Sequence, residues 1–538
     1  MDEGQGGAVA DAGQVATVPG RAAVDRARER RALRVAIILP ERPLAPGMAE
    51  AARRLEDWLS SDPRMILAEL RYGPSARIGP GTLATLARIE RSLFGPRLGA
   101  VDHQTGQVAA VPRSPPSGSG PLDVAVDLTG QRISGWTGAP PRHGVWRLTA
   151  LDPGAGLAAA LDGRTLTEIA LVRDEPGGAR TLATARLGRK LPALRHAAFL
   201  AEKSALLVIR ALADLHTSGG VTPPPKERAL APKPPLATAR YAGRLALWAG
   251  RRAATGFGHR LGLNPGGFAL RLCPGGPLDF DPGRGRTLPL PRGHFWADPF
   301  LFDHSGATYL FYEDFSHATN RGTIAVARLE GDRPIPLGTA LEADYHLSFP
   351  YVFAARGAIW MMPETCRAGR LEIYRAVEFP LRWERVATAF EGAPPVDCVL
   401  ADIDGAWWLF ANRSGDSFGD YSSELHLFRV DGPLLHRIEP HPLNPVVFDS
   451  STARGGGRVW RAGGRLYRAS QDNSGDLYGG GLNVMEITRI DMEGYAERRV
   501  RHIAPDFQRG AIGCHHMDFA GGQVVIDVRY RFPHAIRD

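Results

Sequence analysis

Two hydrophobic rhythms divide this chain, and they change over near residue 267. Upstream, Val35-Ala36-Ile37-Ile38-Leu39 is apolar without a break, as a strand buried on both faces must be. Met48, Ala52, Leu55 and Leu59 then recur at helical spacing and predict a helix over 47–60. Met65–Leu70 and Leu122–Leu128 read as further strands, and Leu194–Leu215 as an apolar helix. Strands alternating with helices predict an α/β domain of Rossmann-like class with a parallel sheet over 33–218. Residues 1–32 hold Gly, Ala and Arg without apolar periodicity and are expected to be a disordered tail. Residues 219–266 open with Gly219-Gly220 and proline clusters, which predict a linker, and continue into a basic helix from Tyr241.

Downstream, short β-rich runs bounded by Gly, Pro, Asp or Asn continue to the C-terminus. A three-part pattern repeats. His294–Phe300, Tyr309–Asp314 and Gly322–Ala327 form the first copy, and Leu347–Phe353, Ile359–Glu364 and Leu371–Ala376 the second. Pro395–Leu400, Trp407–Asn412 and Glu424–Val430 form the third, and Ser451–Arg454, Leu466–Asp472 and Leu482–Ile490 a looser fourth. Gly513–Phe519 fits a fifth first strand. First strands about 50–60 residues apart suit the four-stranded blades of a β-propeller, so 267–538 is expected to be an all-β ring of five blades. The strands at 267–291 are expected to close that ring against the last blade.

Composition narrows the function classes. The net charge of +8 is nearly all local, because residues 223–260 carry eight Lys/Arg against one Glu. The remainder is close to neutral, so a general nucleic-acid surface is not expected. The basic helix has two readings: a segment lying on an anionic membrane over 240–260, or a connecting helix packed on a neighbouring domain. No apolar run is long enough to span a bilayer. The N-terminus has no apolar signal-like core, and a cytoplasmic setting, peripheral to a membrane, is expected. Four scattered cysteines without a CxxC point to neither a disulfide framework nor structural zinc.

In a propeller the first strand of each blade lines the central channel, so matched positions converge. Those positions carry Asp298, Phe349-Pro350, Asp397, Arg454 and His515-His516. The ends of the second strands carry Glu313-Asp314, Glu364, Asn412 and Gln471-Asp472. Carboxylates crowded in one concave site raise each other's affinity for protons and so supply an acid and a base. Glycosyl chemistry needs that pair: one carboxyl protonates the leaving oxygen while another attacks or stabilises the anomeric centre. Asp298, Glu364 and Asp397 are among the carboxylates that could supply that pair. Trp296, Glu313, Asp314, Arg454, Gln471, Asp472, His515 and His516 are expected to bind substrate. Neighbouring strand residues point to opposite faces, so only one of His515 and His516 is expected to enter the channel. No metal and no cofactor are expected.

Phe295–Phe300, Tyr312-Glu313-Asp314, Ser348–Tyr351, Met362–Thr365 and Gly513–His516 together resemble a known propeller region. It is that of the plant glucosamine inositolphosphorylceramide transferases and bacterial proteins of similar layout, over about 290–530. More distantly the region is similar to five-bladed furanosidase-type glycosidases, whose working carboxylates sit on the first blades. Carried over by position, the resemblance implies Asp298 as base or nucleophile, Glu364 as acid and Asp397 as modulator of their proton affinities. The plant enzymes add a glycosyltransferase domain after the propeller, and none is expected in this chain, which ends at Asp538. The resemblance therefore does not carry their whole activity across.

Asp123–Gly130, His143–Leu148 and Glu168–Gly178 resemble, more faintly, the N-terminal domain of formyltransferases. Where that family places its Asn and His, this sequence has Arg147 and Thr149, and where it places its Asp, Pro176-Gly177-Gly178. Formyl transfer is therefore expected to be lost. The combined expectation is glycosyl transfer in glycan or glycolipid biosynthesis, on a sugar nucleotide or a glycan or glycolipid substrate. The alternatives are a non-catalytic scaffold binding a sugar or lipid headgroup, and a formyltransferase-type enzyme with an accessory propeller.

Overall fold

The computed structural model of the protein describes residues 31–41, 44, 46–74, 82–94, 120–132, 136–151, 158–161, 164–175, 178–221, 240–250, 267–475 and 478–530. Residues 1–30 of the expected N-terminal tail, most of the linker and residues 251–266 of the basic segment lie outside these, while Arg31, at the end of that tail, pairs with Asp123 at 2.7 Å.

The N-terminal part is a six-stranded sheet in the order β2-β1-β3-β4-β5-β6. Its strands are β1 (Leu33–Pro40), β2 (Met65–Gly73), β3 (Val124–Asp127), β4 (Val145–Leu148), β5 (Leu166–Glu175) and β6 (Gly178–Gly188). Strands β1 to β4 pair in parallel, with β1 and β3 buried along nearly their whole length. The sheet is nevertheless mixed, because β5 and β6 add an antiparallel hairpin. Polar and apolar residues alternate over Thr184–Leu187, with Ala185 and Leu187 buried, as an edge hairpin with one solvated face requires. Helices α1 (Pro46–Ser61) and α3 (Ala193–Ser218) pack on the sheet and on each other, and α2 (Thr82–Phe94) packs on α3. Gly47 is where α1 comes closest to α3: a Cβ there would lie 2.3 Å from the Ala198 carbonyl oxygen.

Five further sheets follow, four to five strands each. Their first strands are His294–His304, Ser348–Ala355, Val396–Ile403, Gly455–Ala462 and a broken one, Ala511–Gly513 with Met517–Ala520. Each packs against the next, and the fifth against the first, so the ring is closed and has five blades. The last blade takes Gly267–Pro274 from ahead of the first blade, paired antiparallel to Gln523–Tyr530, so both ends of the ring sequence lock one sheet. The fourth first strand begins at Gly455, later than the expected Ser451–Arg454, because 449–454 turn before pairing begins. Separate apolar clusters fill the spaces between neighbouring blades.

The two parts share a packed junction. Phe448 of the ring completes the apolar core of the α/β domain. Ser450 donates its N–H to the Arg186 carbonyl (2.8 Å) and accepts the Gly188 N–H on its Oγ (3.0 Å). On α3, Lys203 is fully buried among Asp416 (2.6 Å), Asp420 (3.7 Å) and Glu424 of the third blade. Glu202 binds Arg54 at 2.5 Å and accepts from the backbone and hydroxyl of Ser417. Residues 240–250 are helical and seated on the α/β domain by Tyr241, which is buried and donates to Glu90. Of its two readings, the packed connecting helix describes these residues. No helix among the described residues is long and apolar enough to cross a membrane.

Candidate active site

In the first three blades, the first strand carries one left-handed residue in its first half: Asp298 (φ 50°), Phe349 (φ 46°) and Asp397 (φ 50°). This conformation costs a non-glycine residue on the order of 1–3 kcal/mol, and the surrounding ladder must enforce it. Strand pairing slips at the same place in each blade, between Phe311 and Glu313, Ser348 and Tyr351, and Val396 and Val399. The bulge swings residues 298 and 397 out of the ladder toward the channel.

Around that opening the ring gathers Asp298, Glu313, Glu364, Asp397, Arg454, Gln471, His515 and Asp527. Arg454 Nε lies 2.5 Å from Asp397 Oδ2, and its Nη2 lies 3.3 Å from Oδ1 and 3.8 Å from Glu364. Gln471 also donates to Asp397, at 3.3 Å. Asp298 accepts the Phe349 N–H at 3.2 Å and faces His515 Nε2 at 3.4 Å. The other ring nitrogen of His515 lies 2.5 Å from Asp527, whose second oxygen accepts the backbone N–H groups of both His515 and His516. Cys366 donates its thiol to Glu364 at 3.2 Å.

Burial dominates the electrostatics. It pushes Asp298 up to about 7, with Asp527 and Asp397 adding to the effect and His515 opposing it. Burial, with Asp397 beside it, pushes Glu364 up to about 7, against the pull of Arg454. Glu313 is raised well above the usual carboxylate range by burial and by Asp298 and Glu364. Burial works to lower His515, but Asp527 and Asp298 on either side outweigh it and raise its affinity for a proton. These are environments that make acids and bases near neutral pH.

Adjacent second-strand residues separate as strand geometry demands. Glu313 joins the cluster, while Asp314 turns away to His294 (2.8 Å) and the Trp296 indole N–H (3.2 Å). Trp296 packs on Tyr312 in the space between the first and last blades. Gln471 reaches Asp397, while Asp472 caps a turn by accepting the Ser474 N–H. The histidine pair departs from the expected alternation. Residues 514–516 are not in a strand, so both rings approach Asp298, His516 Nδ1 at 3.8 Å. His516 is fully buried between Phe300 and Phe349, and burial lowers it to about 3, leaving an apolar spacer rather than a proton carrier.

Asp298, His515 and Asp527 also bring ligand-type atoms within 4.8 Å of one another, the one group of described residues spaced to hold a metal ion. The same two carboxylates flank the His515 ring and raise its affinity for a proton. Two members of the site escape a reading by matched position. Asp527 announces itself only as a lone acid inside the apolar run Val524–Val528. Tyr478, in a glycine-rich loop, sets its ring 5.3 Å from that of His515 and 5.3 Å from the Arg454 guanidinium. Arg458 and Asp518 pair and both bond the Leu301 backbone, tying the first strands of the fourth, fifth and first blades together.

Residues 290–518 match the family model described as glucosamine inositolphosphorylceramide transferase 1, N-terminal. The Arabidopsis thaliana glucosamine inositolphosphorylceramide transferase 1 is 35% identical over 234 residues, 42% of this chain and 30% of that protein. The protein of the same name from Oryza sativa subsp. japonica is 34% identical over 246 residues, covering 43% of this chain and 33% of its own length. The chain thus spans about a third of these relatives. Among solved structures, a family 117 glycoside hydrolase from Zobellia galactanivorans aligns over 50% of this chain and 92% of its own, at 12% identity and a TM-score of 0.31. The β-xylosidase RS223 aligns over 44% and 92%, at 10% identity and 0.34.

Proposed function

We propose that the ring performs glycosyl transfer in the making of a glycan or glycolipid, with the reacting centre at the channel carboxylates. One observation carries this reading. Asp298, Glu313, Glu364 and Asp397, from three successive blades, converge with too few cations to balance them, and two are pushed up to about 7. In this reading Glu364, whose hydrogen-bond partner is a weak thiol, gives its proton to the leaving oxygen. Asp298, beside the His515 ring and the Phe349 N–H, takes the proton of the acceptor hydroxyl or attacks the anomeric carbon. Asp397, its oxygens held by Arg454 and Gln471, tunes Glu364. The relatives matched by 290–518 are named for transfer involving glucosamine and inositolphosphorylceramide, which supports a glycolipid acceptor here.

The test is turnover of sugar-nucleotide donors with phosphoinositol-lipid acceptors. Asp298→Asn and Glu364→Gln should each lower it at least ~100-fold with the fold intact. Undiminished turnover in both variants would leave the ring a binding scaffold. No observation favours formyl transfer: Arg147 is tied to Asp174 (3.4 Å) and the Thr149 hydroxyl exchanges bonds with the Ala170 backbone.

A further inference from the structure

A cavity of about 490 Å³ opens where the α/β domain, the helix 240–250 and the third and fourth blades meet. Gly188, Arg189, Lys190 and Leu191 form one wall, at the end of β6. Arg244, Leu247 and Trp248 form a second, and Asp420, Ser422, Ser450, Asn473 and Tyr478 the third. Its walls carry three cations and one acid. That acid is already engaged: Asp420 lies 2.8 Å from Lys190 and 3.7 Å from the buried Lys203. Arg244 Nη1 is a buried donor with no hydrogen-bond partner among the described residues. A buried guanidinium nitrogen without an acceptor is costly unless a ligand supplies one.

Two features connect this cavity to the chemistry. Tyr478 is shared, lining the cavity while its ring contacts His515 and Arg454 of the carboxylate cluster. Asn473, also shared, donates to Gln471, which in turn bonds Asp397. The second feature is apolar. Leu247 is 54% exposed on the helix beside Arg244, giving the basic wall a greasy rim. The helix is not free to swing away, because Tyr241 and Leu245 pin it to the α/β domain.

We infer that this cavity is a subsite for a phosphate ester of a sugar or polyol. The phosphate sits against Arg244, Arg189 and Lys190, and the sugar or polyol end passes Tyr478 into the channel. Arginine suits that task because its planar fork matches phosphate oxygens. The inference rests on the channel being a glycosyl site and names the class of substrate it takes. It also gives the α/β domain and the basic helix a role: they complete a site that the ring alone leaves open.

Two sources share this chemistry, a soluble sugar nucleotide and a phosphoinositol lipid, and one experiment separates them. Full-length protein is titrated by calorimetry with a UDP-sugar, and by flotation with phosphatidylinositol vesicles against neutral phosphatidylcholine vesicles. Arg244→Glu should weaken whichever probe binds by about 10-fold or more, in a salt-dependent way, with Arg244→Lys intermediate. Leu247→Asp should weaken the vesicle arm alone if the ligand is a lipid, and neither arm if it is the nucleotide. Each variant is compared at an unchanged melting temperature. Failure of both probes to bind the parent, or binding indifferent to Arg244→Glu and Arg189→Glu, overturns the subsite. Asp298→Asn distinguishes the two readings: it should abolish turnover and leave binding at the cavity intact. Retained turnover in that variant would sink the channel chemistry without touching the cavity.

Discussion

The ring holds two buried groups of carboxylates, and they have opposite characters. At the junction with the α/β domain, Asp416, Asp420 and Glu424 surround the Lys203 ammonium. There Lys203 outweighs the cost of burial, and it holds Asp420 down to about 2 and Glu424 below its ordinary range. In the channel, Asp298, Glu313 and Glu364 are buried as deeply, but burial and mutual repulsion win and all three rise. Both groups are acid-rich. What differs is how closely a basic group approaches: Lys203 lies 2.6 Å from Asp416 and Lys190 2.8 Å from Asp420, whereas His515 stands 3.4 Å from Asp298 and Arg454 3.8 Å from Glu364. The first arrangement is a rivet that holds two domains together, and the second keeps exchangeable protons near neutrality.

Removing the rivet's cation should have the largest effect. Lys203→Met leaves three buried carboxylates facing each other and should cost about 3–5 kcal/mol, read as lost stability and loosened docking of the α/β domain. An unchanged melting temperature would dissolve the contrast. Next is the channel: Asp298→Asn should lose ~100-fold or more in rate, about 2.7 kcal/mol, without that loss of stability. Arg454→Met removes the cation that opposes the rise of Glu364, so the alkaline limb of the rate profile should move up by about one pH unit. The parent profile should be bell-shaped around pH 7, since Glu364 must hold its proton while Asp298 has lost its own.

The smallest effect is on stability against pH, and its sign separates the two groups. Asp298 and Glu364 keep protons in the folded chain between about pH 4 and 7, where unfolded carboxyls have released theirs. Their contribution to stability is therefore lost as pH rises through 7. Asp298→Asn should melt a few degrees above the parent at pH 8 and at the same temperature near pH 4. The junction carboxylates contribute the reverse: stability present above their unfolded values and lost as pH falls toward 2.

Much of this architecture is legible in the order of residues. A strand pattern returning every 50 to 60 positions specifies a ring, because each blade needs a neighbour to cover its apolar face. Matched positions then point to Asp298, Glu364, Asp397 and Arg454, and the structure brings these four into one opening. Position alone did not separate Glu313 from Asp314 or Gln471 from Asp472, since the bulges decide which of two neighbours faces inward. The irregular backbone at 514–516 likewise turned both histidines toward Asp298. Lys203 lies in a helix that reads as plain apolar core.

Local periodicity is set by backbone geometry, so the amino-acid order alone pointed to β1, β2, β3, α1, α3 and the repeat of the ring, while the antiparallel hairpin β5–β6 and the start of the fourth blade at Gly455 were settled by pairing in space. Proton affinity is set by charges a few ångströms apart in space, and those charges come from residues tens to hundreds of positions away. Only the folded ring could decide that Asp397 would meet Arg454, that Lys203 would meet Glu424, and that the basic groups nearest Asp298 and Glu364 would stand 3.4 and 3.8 Å away.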